Sequence, residues 1–220
     1  MIGDLVPVNI LTLQTIPNLS PGLFKALGIQ GNHRAIGLLS TDCDDVTYIA
    51  LDEATKVANV EVVYARSLYA GASNASTKYA GEVIGILAGP TPAEVESGLQ
   101  GAVSFIENGV CFRTANAEGN VVYLAQCVSR TGSYLSQMAH IPAGQAVAYL
   151  VAPPVEAMIG LDAALKASDV DMVAFFEPPT ETNFAGGLLT GTQSACQSAC
   201  DAFAEAVTNM AENPLSLGGI

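Results

Sequence analysis

The sequence predicts an α/β (α+β) protein made of two similar domains, each with a mixed or antiparallel sheet flanked by helices. The segment 51–63 returns 110 positions later as 161–173, with six of thirteen residues identical. A repeat of this period is too long for a solenoid unit and is typical of two fused domains. The 220 residues can hold two domains of roughly 100 residues, each with its own core. We therefore predict domains at 1–112 and 113–220.

Helical and strand patterns alternate along the chain. The first copy of the repeat predicts a helix over 52–59, because its apolar residues follow helical spacing, and then a strand from Val60 to Tyr64. Further strands are predicted at 36–40, 83–87, 121–127, 146–152 and 188–190. Helices between these strands indicate an α/β arrangement present twice.

The clearest helix start is Thr91-Pro92-Ala93-Glu94. Thr is a good N-cap, Pro suits the first helical position, and Glu three residues after the cap completes a capping box. Gly109 is placed to end this helix in the left-handed conformation. We align Glu107 with Glu212 in the second half, a spacing of 105 residues.

Composition limits the classes of partner. The net charge of −13 with eight basic residues argues against nucleic acid and membrane partners and favours cationic small molecules. Only 13% of the residues are charged and 50% are hydrophobic, which indicates extensive subunit contact or, alternatively, an ordinary protein rich in Ala and Gly. We find no signal segment and no apolar run of about 18 residues, and we expect a soluble cytoplasmic protein.

Catalytic and metal-binding patterns are not found. The histidines His33 and His140 lie near no nucleophile motif, and no nucleotide-binding motif is present, so we predict no enzyme and no cofactor. The five cysteines lack zinc spacing. Cys196 and Cys200 share a helical face, where core packing is the first interpretation and metal binding the alternative. The segment 130–133 could cradle an anion, but we interpret it as a structural turn.

Longer blocks indicate a family. The blocks 42–48, 63–72, 128–136 and 149–154, together with the repeated helix and strand, resemble the shell proteins of bacterial microcompartments that carry two BMC domains in tandem. Within that family they look like the ethanolamine-utilization group of type L. The resemblance covers the chain from about Asp4 to Pro214.

The resemblance implies a shell component in the bacterial cytoplasm. Family members have two permuted BMC domains and form pseudo-hexameric trimers that tile a closed shell together with other microcompartment shell proteins. Six similar domains close a ring, and their fusion in pairs lowers its symmetry from six to three. The family also has a central pore that opens or closes and a smaller pore in each subunit.

For the small pore, the resemblance implies the acidic residues Asp44, Asp45 and Glu82 with Phe112 beside them, and Thr182 as a weaker candidate. Carboxylates with an aromatic ring suit a small amine such as ethanolamine, through charge-assisted hydrogen bonds and cation–π attraction. Alternatively, an Asp of this acidic run caps a segment that starts at Val46. The run lacks the Gly and terminal Glu of a calcium loop, and we predict no metal.

For the central pore, the resemblance implies two loops at equivalent places in the halves. The candidate residues are Tyr69, Gly71, Ala72, Ser73, Glu177, Pro178, Thr180, Glu181 and Asn183. Glycine and prolines would allow discrete loop conformations that gate larger substrates or cofactors. The alternative is a pair of ordinary surface loops.

The Lys of each repeat, Lys56 and Lys166, matches a lysine at the rim where neighbouring tiles of the family meet. The alternative for both is a solvated lysine near a helix end. Altogether the sequence predicts a non-enzymatic shell protein that forms homotrimers and passes small metabolites. The competing interpretation is an amine-binding or sensor protein with the same tandem fold.

Overall fold

The computed structural model describes residues 1–68, 83–178, 180 and 182–215. Its elements in chain order are β1 (Leu5–Val6), β2 (Ile10–Ile16), α1 (Pro21–Ala26), β3 (Ala35–Thr41), α2 (Asp44–Val57), β4 (Glu61–Ser67), β5 (Val83–Gly89), α3 (Pro92–Glu107), β6 (Phe112–Thr114), β7 (Val122–Val128), α4 (Ser133–Ala139), β8 (Ala146–Ala152), α5 (Pro154–Ala167), β9 (Val170–Phe176), β10 (Ala185–Gly191) and α6 (Gln193–Glu212). Within these ranges, no helix has the length and apolar character needed to span a membrane.

The chain forms two compact units. One comprises residues 8–110 and 132–135, and the other comprises 1–7, 111–131 and 136–220. Neither unit is one continuous stretch of chain. The domain limits of 1–112 and 113–220 stay a prediction.

Each unit is built on an antiparallel sheet. The unit of residues 8–110 has the strand order β2-β3-β5-β4, and the other has β1-β6-β7-β8-β10-β9. All neighbouring strands in both sheets are antiparallel. The order β7-β8-β10-β9 repeats the order of the four-stranded sheet, which confirms an α/β protein with an internal repeat.

The spacing of the repeat changes along the chain, and part of our sequence alignment is wrong. Helices α2 and α5 start 110 residues apart, as predicted, and α1 and α4 start 112 apart. In the sheets, Val83 at the start of β5 lies opposite Thr41 at the end of β3, and Ala185 at the start of β10 lies opposite Ala152 at the end of β8. The strands β5 and β10 therefore correspond at a spacing of 102 residues and not 105. The strand register is decided by hydrogen bonding across the sheet, which the short Gly-rich segments do not specify by themselves.

The same correction applies to α3 and α6. Both start after a threonine whose hydroxyl accepts from an N–H three residues on: Thr91 from Glu94 at 3.2 Å and Thr192 from Ala195 at 3.2 Å. Their buried residues then correspond at a spacing of 101, as Val95 with Cys196, Leu99 with Cys200, Ala102 with Phe203 and Ile106 with Val207. Helix α6 has 20 residues against 16 in α3, so aligning the helix ends displaced the faces by one turn.

Other local predictions are confirmed. Thr91 caps α3, Pro92 is its first residue, and Gly109 has a φ of 96° just beyond its end. In a simple capping box the Glu94 carboxylate would accept from the N–H of the N-cap residue Thr91. Here it accepts from the Asn59 N–H at 2.7 Å. Cys196 and Cys200 lie in the core. Burial raises the pKa of both thiols, as expected for cysteines that serve packing.

The two cores are filled differently at equivalent positions. A Cβ added to Gly160 on α5 would lie 2.7 Å from the Phe203 ring on α6. In the other unit the equivalent positions are Ala50 and Ala102, both fully buried. A large side chain on one helix is thus accommodated by a smaller residue on its neighbour, as close packing requires.

Candidate ligand-binding site

The first turn of α2 carries two neighbouring carboxylates. The helix starts at Asp44, not at Val46, so Asp44 and Asp45 belong to its first turn and the capping interpretation is wrong. Both residues are only 8% exposed. The first turn of a helix has unpaired backbone N–H groups and a partial positive charge, which stabilise ionised carboxylates.

Asp44 is held by a hydroxyl network at the end of β4. Its Oδ2 accepts from the Ser67 hydroxyl, and its Oδ1 accepts from the Asp45 N–H at 2.9 Å. The Ser67 hydroxyl is also 2.8 Å from the Tyr48 hydroxyl. Burial, with the nearby Asp44 charge, raises the pKa of Tyr48 above its ordinary value. Sequence reasoning missed Ser67, because only the strand pairing brings it to the start of α2.

The residues before the helix have structural roles. The Asp42 carboxylate accepts two hydrogen bonds from Asn9, from its backbone N–H at 2.8 Å and its side-chain amide at 2.7 Å. Burial, followed by the Asp45 charge, raises the pKa of the Cys43 thiol well above its ordinary value. The acidic run therefore divides into one structural carboxylate and the Asp44–Asp45 pair.

The other unit holds Phe112 and Thr182. Phe112 is buried and packs edge-on against Phe184, with ring centroids 5.4 Å apart. The Thr182 N–H donates to the Thr180 hydroxyl at 3.4 Å, and that hydroxyl donates to the Phe184 carbonyl at 2.8 Å. The structure therefore connects Phe112 with the loop that carries Thr182. Phe184 was not predicted, although its place two residues beyond Thr182 was a usable signal.

Several candidates lie outside the described residues: Tyr69, Gly71, Ala72, Ser73, Glu82 and Glu181. Of the second predicted pore loop, Glu177, Pro178, Thr180 and Asn183 are described. Asn183 has a left-handed φ of 60°, which fixes the turn before β10. Because Asp44 and Asp45 belong to one unit and Phe112 and Thr182 to the other, the complete pocket stays a prediction.

The two repeated lysines have different surroundings. Lys56 is 9% exposed, lies 3.5 Å from the Asp52 carboxylate, and pairs with Glu53. Lys166 is 74% exposed and pairs with Asp162 at 2.6 Å. The alternative of a solvated lysine is therefore wrong for Lys56. The lattice role of both stays a prediction.

A buried carboxylate that we did not single out fixes the segment 132–135. The Asp52 carboxylate, fully buried, accepts from the N–H groups of Gly132 at 2.7 Å and Leu135 at 2.8 Å. The Thr55 hydroxyl accepts from the Ser133 N–H at 3.0 Å. We call this set of contacts the Asp52 clamp. It caps the start of α4 and agrees with a structural turn at 130–133.

The fold has close relatives among known proteins. The BMC domain family matches residues 35–116. The chain is 65% identical to the bacterial microcompartment shell protein EutL of Clostridium perfringens, over 98% of this chain and 99% of the relative. It is 50% identical to EutL of Salmonella typhimurium, over 96% of this chain and 97% of the relative.

Solved structures agree with this. The crystal structure of EutL from Leptotrichia buccalis has a TM-score of 0.96 at 61% identity and covers 98% of this chain and 100% of that chain. A crystal structure of EutL from Clostridium perfringens has a TM-score of 0.97 at 64% identity, covering 99% of each chain.

The duplicated antiparallel units and these relatives define a shell protein of bacterial microcompartments. The chain belongs to the EutL family of these shell proteins. The family resemblance predicted from the sequence is confirmed. The competing interpretation as an amine sensor finds no support among the relatives.

Proposed function

We propose that this chain is a non-catalytic, homotrimeric shell tile that admits a small amine such as ethanolamine to an ethanolamine-utilization microcompartment. The observation that carries the proposal is the Asp44–Asp45 pair, two adjacent and nearly buried carboxylates on the first turn of α2. The names of the relatives identify a shell protein, and the acidic pair supports the class of metabolite.

The acidic pair suits a primary ammonium group. An ammonium has three donors, and partly desolvated carboxylates form shorter and stronger hydrogen bonds with it than neutral acceptors do. The start of α2 stabilises both negative charges while the site is empty. In the other half, Pro154 and Val155 occupy the corresponding positions, so the acidic pair of α2 is not repeated at the start of α5.

The remaining candidates complete the proposed small pore. Glu82 would add a third carboxylate, and Phe112 would supply an aromatic ring for cation–π attraction. The contact between Phe112 and Phe184 supports this role, because it gives the ring a fixed orientation. Thr182, two residues from Phe184, would contribute a hydroxyl.

Calorimetric titration with ethanolamine tests the site. We expect Asp45→Asn to weaken binding at least tenfold while the trimer persists in size-exclusion chromatography. Asp169→Asn, which removes the same charge from an exposed position, is the matched control and should titrate like the parent protein. Ethylene glycol, which lacks the ammonium, should not bind. Equal binding by the Asp45→Asn and parent proteins would contradict the pocket.

We propose that the loops around 69–73 and 177–183 border a gated central pore for larger substrates or cofactors. Their position supports this, because each joins equivalent strands, β4 to β5 and β9 to β10. Electron cryo-microscopy of the trimer should show at least one class with an opening on the threefold axis. A closed axis in every class, under varied ligand conditions, would argue against gating.

We propose that Lys166 contacts neighbouring tiles or other shell proteins at the rim, with Lys56 as its counterpart. The exposure of Lys166 supports this role. Lys166→Ala should abolish flat arrays in negative-stain images and leave trimers intact. Lys56→Ala is less diagnostic, because it also removes the cation beside the buried Asp52.

A further inference from the structure

We propose that a cleft at the start of β3 binds a small organic anion, in which a carboxylate or phosphate group is joined to an apolar part. The cleft lies in the unit of residues 8–110, where His33 and Arg34 precede β3 and Pro90 follows β5. The Asp44–Asp45 pair follows the opposite end of β3. The anion site is therefore separate from the proposed amine site and does not depend on it.

The charge of this region differs from that of the chain as a whole. Residues 5–41 contain none of the 21 acidic residues of the chain, but they contain the cations Lys25 and Arg34. None of the described residues that line the cleft is acidic, and Arg34 is among them. In a protein with a net charge of −13, a cleft wall of this composition favours an anion over the amines that suit the acidic pair.

Arg34 supplies the positive charge of the cleft. It is exposed and forms no ion pair with any other described residue. Its backbone is fixed on both sides, because its N–H donates to the Gly89 carbonyl at 2.9 Å and its carbonyl accepts from the Leu19 N–H at 2.8 Å. A guanidinium on an anchored backbone can donate two parallel hydrogen bonds to a carboxylate or a phosphate.

The wall beside Arg34 contains an imidazole nitrogen without a partner. Within the part of the chain that the structure describes, the buried Nδ1 of His33 forms no hydrogen bond, while Nε2 lies 3.6 Å from the Glu61 carboxylate. A buried polar atom in this state is typically satisfied from outside the chain. Because Glu61 lies beside Nε2, a protonated His33 ring has its Nδ1–H left to donate to an anion.

The other walls indicate the size and the character of the ligand. The cleft has a volume of about 730 Å³, which is within the range of small-molecule sites. Leu19, Phe24 and Pro90 provide apolar surface, and Asn18 and Asn32 add amide groups. A bare inorganic ion would fill little of this volume and leave the apolar walls in water. An anion with an apolar part fits both the charge and the walls.

The second copy of the repeat shows that the fold does not require these side chains. Gln145 directly precedes β8 as Arg34 precedes β3, and its carbonyl accepts from the Thr131 N–H at 2.9 Å, in the same way as that of Arg34 accepts from Leu19. Gly144 takes the place of His33. The same backbone arrangement thus forms without an arginine or a histidine, which supports a binding role for the side chains at 33 and 34.

Calorimetric titration of the intact protein with three ligands that share a phenyl ring tests the site. Benzoate and phenyl phosphate should bind, and the uncharged benzyl alcohol should bind at least tenfold more weakly. The tighter of the two anions identifies the head group. Arg34→Gln should weaken binding of both anions at least tenfold with an unchanged circular dichroism spectrum. Arg113→Gln, which removes an exposed arginine from the other unit, should titrate like the parent protein.

A second measurement locates the ligand. His33 and His140 are the two histidines of the chain, and His140 is exposed in the other unit. In protein labelled with ¹³C-histidine, benzoate should shift the ring signals of His33 and leave those of His140 unchanged. The variant His140→Gln assigns the two sets of signals. Equal shifts of both rings, or no shift at His33, would overturn the site.

The outcomes separate this inference from the proposed function. Asp45→Asn should bind benzoate like the parent protein, and Arg34→Gln should bind ethanolamine like the parent protein. Failure of both anions to bind, equal binding of benzyl alcohol, or equal affinities of the Arg34→Gln and Arg113→Gln variants would overturn the anion site and leave the shell function standing. Loss of ethanolamine binding in the parent protein would overturn the amine site and leave the anion site standing.

Discussion

The Asp52 carboxylate lies 2.7 Å from the backbone nitrogen of Gly132, a residue eighty positions later in the chain. The same carboxylate accepts from Leu135, and Lys56 lies 3.5 Å away on the next turn of α2. A fully buried carboxylate is tolerated when hydrogen bonds and a nearby cation compensate for lost hydration. This arrangement holds the start of α4 in the unit of residues 8–110, and it leads to the first two predictions.

Asp52→Asn should destabilise the protein by about 2 to 4 kcal/mol, because an amide NH₂ group would face one of the two N–H donors and Lys56 would lose one of its two carboxylate neighbours. Urea unfolding followed by circular dichroism measures the change. Asp169→Asn, at an exposed position, should change stability by less than about 0.5 kcal/mol. Equal stability of the two variants would show that the clamp contributes little.

Gly132→Ala should cost about 1 to 3 kcal/mol by overpacking. The added Cβ would lie 2.6 Å from the Asp52 carbonyl oxygen, a backbone atom that cannot rotate away. Gly22→Ala is the control, since a Cβ at that helical position meets nothing within 4 Å. Alanine there should be neutral or slightly stabilising. Thermal unfolding of both variants at one protein concentration checks the contrast.

Gly160→Ala and Phe203→Ala should interact. The first places a methyl group against the Phe203 ring, and the second opens a cavity that alone costs about 3 to 5 kcal/mol. The methyl group partly fills that cavity, so the double variant should be more stable than the sum of the single changes predicts, by about 1 kcal/mol or more. Additive effects in a double-mutant cycle of unfolding free energies would contradict the packing described for this pair.

Stability should fall at alkaline pH. Burial raises the pKa of Tyr134 from 10.0 to about 12, so between these values the unfolded chain loses a proton that the folded chain keeps. The contribution is complete below pH 10 and is lost as the pH rises towards 12, with a slope of about 1.4 kcal/mol per pH unit. Tyr134→Phe should show a shallower decline in unfolding free energy over this range. The pKa of Tyr48 is raised as well, so part of the decline should remain.

A large part of the fold could be predicted from the sequence because it rests on local chemistry. Helix α3 starts where Thr91 and Pro92 predict, since capping and a fixed proline φ act within one turn. Strand β8 has its predicted bounds of Ala146–Ala152, since an apolar run of this length suits a buried strand. The repeat of 51–63 was visible because helix faces and strands constrain residue type at each position.

The sites were less accessible to sequence reasoning. Asp44 and Asp45 were singled out, but Ser67 and Phe184 were not, because hydroxyl and ring partners come from strands and loops distant in sequence. The alignment of α3 with α6 failed for a related reason. We aligned the two helices on Glu107 and Glu212 at their ends and not on the N-caps Thr91 and Thr192, whereas packing against the sheet decides which residues are equivalent.

The sequence by itself determined the duplicated α/β architecture, the strongly acidic character and the family, because these depend on periodicity, composition and extended similarity. Only the tertiary structure decided what the repeated residues do. Asp52 and Asp162 occupy the same place in the repeat, yet one is buried in a clamp and the other is exposed. The physical reason is that burial and hydrogen bonding belong to the surroundings of a residue, and the two copies of the repeat meet different surroundings.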